Sequence, residues 1–207
     1  AIPESLRIFY HLHWINYYNA NMLEKNRELI QHLHEHGVRD PVVLPGFNYQ
    51  VTDEGIVIQK YTGMDPKPRI EREYNRIPVI KIGQFAFKNC IHLEKLDIPE
   101  SVTHIGEGAF EDCPRLISIT LPDSLEWIGD NAFSGCSSLT SIVLSKRLER
   151  IGACAFINCS SLLTVAIPES VTVIEAGTFE NCKRLTAIIL PEHVRAIREF
   201  AFKGCES

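Results

Sequence analysis

Apolar positions along this 207-residue chain fall into two regimes. From about residue 77 onward they recur with a fixed period. Phe87, Phe110, Phe133, Phe156, Phe179 and Phe202 are each 23 residues apart, and so are Cys90, Cys113, Cys136, Cys159, Cys182 and Cys205. Between them stand Leu93, Leu116, Leu139, Leu162 and Leu185, followed by Leu96, Ile119, Ile142, Val165 and Ile188. Ile98, Leu121, Leu144, Ile167 and Leu190 come next, and Ile105, Ile128, Ile151, Ile174 and Ile197 close the unit. The motif reads I-G-x-x-A-F-x-x-C-x-x-L-x-x-I-x-L-P-x-S-L-x-x, present five times with a sixth broken off. A period of this length is the mark of a repeat architecture.

Each unit mixes two local patterns. Ile119 and Leu121 alternate with polar neighbours as a strand does, and Pro122 removes a donor and ends it. Leu125 and Ile128 make a second short extended piece. The stretch from Ala109-Phe110 to Cys113, opened by Gly106, suits one helical turn packed through Phe110. A single coil cannot bury enough apolar surface to offset the ordering of its backbone, so only the stacked array folds.

These residues resemble the BspA-type bacterial leucine-rich-repeat family. The match covers residues 77–207 and extends back to about residue 54, where Glu54-Gly55-Ile56-Val57-Ile58 leads through Tyr61-Thr62-Gly63 to Ile77-Pro78-Val79-Ile80-Lys81-Ile82-Gly83. The resemblance implies a leucine-rich-repeat solenoid, a right-handed β/α superhelix of short strands and helical turns, with residues 54–82 as an atypical first coil and repeats over 83–207. It also implies a cell-surface or secreted protein that binds other macromolecules. The chain departs from the motif at Glu175 and Arg198 (for Gly), Thr178 (for Ala) and Ser145 (for Pro), which suggests local backbone adjustment.

Residues 1–53 do not follow the repeat and read as a helical N-terminal cap segment. Asn21 with Glu24 three residues on forms a capping-box-like start, and Met22, Leu29, Ile30 and Leu33 fall on one helical face. His32, His34 and His36 precede Gly37, a plausible stop, so a helix is expected from about 21 to 36. Its apolar face would cover the open end of the solenoid, because terminal repeats need a cap. The aromatic stretch around Phe9, Tyr10, Trp14, Tyr17 and Tyr18 suits core between helix and first coil. His32 and His36 at i,i+4, with His11 and His13 nearby, offer an alternative metal site, but the H-E-x-x-H pattern is missing and a solvated helix end explains the same residues.

Composition narrows the function. Apolar residues make up 45% and charged residues 23%, ordinary for a globular protein. The net charge is −5, with 9 Lys/Arg against 10 Asp/Glu in residues 1–76 and 12 against 16 in 77–207. Neither half is basic, which argues against nucleic-acid partners. No apolar run reaches the length of a membrane span, so no membrane insertion is expected. The chain opens Ala1-Ile2-Pro3-Glu4-Ser5 with no signal-peptide pattern, and because it does not begin with Met, an upstream targeting segment is compatible with the reading. The cysteine column lacks the paired spacing of a zinc site and has no natural disulfide pairing, so Cys reads as a small buried apolar residue. Cys154 stands off the column, with nothing nearby to depress its pKa. No G-x-S-x-G, Walker-type or dinucleotide motif is present, so no cofactor and no enzymatic activity are expected.

Binding, if the array binds, falls to its outward columns. One runs Asp97, Thr120, Val143, Ala166, Ile189, and its neighbour Lys95, Ser118, Ser141, Thr164, Ala187. A second face runs His104, Trp127, Arg150, Val173, Ala196. Trp and Arg are favoured interface anchors, which makes Trp127 and Arg150 the leading candidates, with His104, Val143 and Ile189 beside them. The expected role is non-enzymatic recognition of a protein or glycan, adhesin-like. The alternative is a scaffold array without a dedicated ligand. Gly204-Cys205-Glu206-Ser207 stops before the next strand, so either a longer array or end-to-end self-association is expected at that edge.

Overall fold

The computed structural model describes residues 44–207, which form one compact unit. The chain winds into a β-solenoid of short strands. A hairpin opens it: β1 (Phe47–Val51) pairs antiparallel with β2 (Ile56–Tyr61). After β3 (Glu73–Tyr74) the chain turns back antiparallel into β4 (Ile77–Ile82), which lies parallel to β2. From there the 23-residue periods feed two strand columns, the first of them interrupted around Ser141, which makes only an isolated bridge. The first column holds β5 (Lys95–Asp97), β7 (Ser118–Thr120), β10 (Thr164–Ala166) and β12 (Ala187–Ile189). The second holds β6 (His104–Ile105), β8 (Trp127–Ile128), β9 (Arg150–Ile151), β11 (Val173–Ile174) and β13 (Ala196–Ile197).

From β4 onward the pairings between coils are parallel and in register at the period, as Lys81↔His104, His104↔Trp127 and Trp127↔Arg150 illustrate, whereas β2 and β4 slip by one residue after Ile56. The interior is a stack of like residues. Phe87, Phe110, Phe133, Phe156 and Phe179 are fully buried, and successive rings through Phe202 stack with centroids 5.0–5.6 Å apart. The spacing equals the inter-strand distance of about 4.8 Å plus a small offset. Counting back one period from Phe87 reaches Met64, which is exposed. The ring column is instead continued by Tyr61, stacked on Phe87 at 5.3 Å, and closed by Phe47 from the opening hairpin.

The turns correct one expectation. The segment from Ala109 to Cys113 is not a helical turn, and no helix occurs among the described residues. Its N–H groups alternate: Glu111 donates to Gly108 O within the coil at 3.0 Å, whereas Phe110 donates to Ala132 O at 2.7 Å and Asp112 to Ser134 O at 2.8 Å in the next coil. A helix would keep those donors for its own carbonyls; here half of them serve the stack. Two left-handed residues bend each turn. Phe85, Gly108, Asn131, Cys154, Gly177 and Phe200 form one such column, and Asn89, Asp112, Gly135, Asn158, Asn181 and Gly204 the other. The helix expected at 21–36, and with it most of the cap segment, lies outside the described residues. The described end of that segment is the strand β1.

Candidate functional site

The second strand column gathers three of the residues singled out from sequence. Parallel register places His104, Trp127 and Arg150 in a single row, each one coil from the next. The His104 ring stacks on the Trp127 indole with centroids 6.0 Å apart, and the Arg150 guanidinium lies over the same indole, 5.0 Å from its centroid. Since the two neighbours belong to the strands on either side of β8, they cover opposite faces of the ring. Trp127 remains 41% exposed. The His104 Nδ1 pairs with the Thr103 hydroxyl at 2.8 Å, which fixes the imidazole plane.

Lys81 on β4 extends the row by one coil. Sequence reasoning passed over it because it lies in the atypical coil, although it stands one period before His104. Among the described residues Lys81 and Arg150 take part in no ion pair. The row is flanked by Glu126 and Glu149, one residue before Trp127 and Arg150, the first half-buried and the second exposed.

Val143 and Ile189 do not join this row. They belong to the first column, where Val143 is 83% and Ile189 68% exposed. Ile189 sits in β12 opposite Ala166. Val143 lies in the third coil, where the ladder weakens to an isolated bridge between Ser141 and Thr164. The cause is local. Ser145 replaces the motif proline and is buried, donating its hydroxyl to Asp123 O at 2.8 Å and accepting from the Arg147 N–H at 3.0 Å. Two residues on, Arg147 takes the position where Ser124 and Ser170 bond the preceding coil.

The other departures also find partners. Gly83, Gly106, Gly129 and Gly152 each lie where an added Cβ would approach the preceding coil's backbone to within 2.7 Å. Glu175 and Arg198 break that column, and the strand ladder opens between β9 and β11 at the same level. The two then pair with each other at 2.7 Å. Buried Thr178 donates to Glu175 O at 2.8 Å.

The thiols are more than filler. Cys113, Cys136, Cys159, Cys182 and Cys205 each donate to the carbonyl of the phenylalanine 26 residues earlier, at 3.0–3.2 Å. Burial pushes Cys136 and Cys182 up to about 12 and Cys159 well above its ordinary range. Cys154 is raised too, by burial and then by Glu180 and Asp130. These thiols stay protonated, without nucleophilic character, near neutral pH. All seven cysteines are free. No group of three or more His, Cys, Asp or Glu suited to a metal occurs among the described residues; His32 and His36 lie outside them. No helix among the described residues is long and apolar enough to cross a membrane.

Parallel coils in register, a stacked aromatic interior and a 23-residue period define a leucine-rich-repeat β-solenoid of about six turns. Residues 78–207 match the model of the BspA-type leucine-rich-repeat region in six copies. The chain belongs to that family. It is similar to a leucine-rich-repeat protein of T. pallidum, with 34% identity and a TM-score of 0.77 over 80% of this chain and 78% of the other. A leucine-rich cell surface protein from Faecalibacterium prausnitzii shares 33% identity, with a TM-score of 0.66 over 80% of this chain and 47% of that one. A leucine-rich-repeat protein from Bacteroides ovatus shares 30%, with a TM-score of 0.65 over 79% and 51%. The chain thus spans about half the length of the last two. No curated protein sequence matches it.

Proposed function

We propose that the array is a recognition module, an adhesin-like surface or secreted protein that binds a protein or glycan partner through the row around Trp127 and Arg150. The observation that carries this reading is the row itself. An exposed tryptophan is held rigid between an imidazole and a guanidinium, on strands whose register leaves little freedom. Interfaces draw most of their energy from such pre-ordered aromatic and arginine anchors. Family membership supports a role built on repeats rather than on a catalytic centre. The likeness to a cell surface protein supports the location.

The test is binding of the full chain to a protein array and a glycan array, repeated with Trp127→Ala/Arg150→Ala. At least one saturable ligand is expected, weakened about tenfold or more by the double substitution. Absence of any saturable ligand, or a ligand indifferent to both changes, contradicts the reading.

A further inference from the structure

We infer that the row Lys81–His104–Trp127–Arg150 recognises an extended protein segment carrying two carboxylates four residues apart. The inference rests on the recognition reading above and narrows its partner. A saccharide ring docks on tryptophan by lying flat against an open indole face, and both faces of Trp127 are covered, by His104 at 6.0 Å and by Arg150 at 5.0 Å. What remains is a line of donors. The Lys81 ammonium and Arg150 guanidinium carry no acceptor and take part in no ion pair among the described residues, and the indole N–H of the partly exposed Trp127 makes no hydrogen bond among them. A strip with a cationic, donor-only group at each end is complementary to an acceptor-rich ligand.

Spacing then selects which one. Lys81 and Arg150 stand three coils apart in register, or roughly 14 Å at about 4.8 Å per coil. An extended peptide rises about 3.4 Å per residue and returns to the same face every second residue, so carboxylates at i and i+4 span that gap on one face. Backbone carbonyls between them meet the Trp127 and His104 edge. Glu126 and Glu149 beside the row act against dense polyanions, whose unmatched charges would fall on them.

The probe is a fluorescein-labelled decapeptide in a Ser/Thr background with two glutamates four residues apart. The comparisons are the same composition with adjacent glutamates, heparin, and maltohexaose, all measured by anisotropy or competition against the full chain. The spaced peptide should bind saturably, weaken with added NaCl, and lose at least about fivefold with Lys81→Gln or Arg150→Gln. The adjacent isomer should bind at least about fivefold more weakly. Glu126→Gln/Glu149→Gln should preserve or tighten the peptide and admit heparin. Equal binding of both isomers, no saturable peptide binding, or maltohexaose binding lost with Trp127→Ala overturns the inference. If the array experiment yields a ligand sensitive to Trp127 and Arg150 while the spaced peptide fails, only the carboxylate spacing falls. If both fail, the recognition reading falls with it.

Discussion

Cys154 holds a left-handed backbone conformation that the next coil gives to Gly177. A non-glycine residue there costs about 1 kcal/mol, and the side chain is only half-buried, so little packing offsets it. Cys154→Gly should therefore raise stability by up to about 1 kcal/mol, read as a higher urea midpoint with unchanged slope; a lower midpoint would show that the thiol packs more than its exposure suggests. The column thiols titrate the other way from acids that stabilise when charged. An unfolded thiol ionises near pH 8.5, whereas Cys136 and Cys182 are held up to about 12 by burial. Their stabilisation is complete below the unfolded value and is lost as pH rises through that window, by about 1.4 kcal/mol per pH unit per thiol. Thermal scans from pH 7 to 10.5 should show the melting temperature falling above pH 9, and Cys136→Ala should flatten the fall. At this scale the sequence was only half legible. The Phe and Cys columns declare themselves, whereas the left-handed column Asn89, Asp112, Gly135, Asn158, Asn181 and Gly204 went unread, although all are residue types that tolerate positive φ. In the other left-handed column Phe85, Cys154 and Phe200 hide the signal.

Between residue and molecule, the element that departs from expectation is the turn. Its A-F-x-x-C spacing fits one helical turn as well as it fits the observed bend, and apolar spacing alone cannot tell them apart. What decides is where the alternate N–H groups go, a property of the neighbouring coil and invisible in one unit. The glycine opening each turn was legible, yet its reason is tertiary. At Gly129 a Cβ would stand 2.6 Å from Glu107 N and 2.7 Å from Gly106 C, both backbone atoms that cannot step aside. Gly129→Ala should cost about 2 kcal/mol or more and raise amide exchange in β6 and β8; an unchanged midpoint would mean the coils separate more freely than the ladder implies. The row around Trp127 was legible as a column of outward positions, because parallel register turns a 23-residue period directly into neighbours. That His104 and Arg150 would cover the indole was not, since it depends on rotamers rather than on spacing.

At the scale of the whole molecule, the solenoid is a one-dimensional stack in which each coil touches only its neighbours. Its first end differs from the middle, where Tyr61 replaces the missing ring below Phe87. The irregular third coil keeps its neighbour through Ser145, which bonds Asp123 O in the coil before. The central claim is that energy passes between adjacent coils through the phenylalanine stack, and double-mutant cycles test it most directly. Phe133→Leu with Phe156→Leu removes a stacked pair whose centroids are 5.2 Å apart, while Phe110→Leu with Phe179→Leu removes two rings three coils apart. Measured by denaturant unfolding, the first pair should show a coupling of about 0.5–1.5 kcal/mol and the second none beyond error. Equal couplings in the two cycles, or none in the first, would contradict a fold held together coil upon coil.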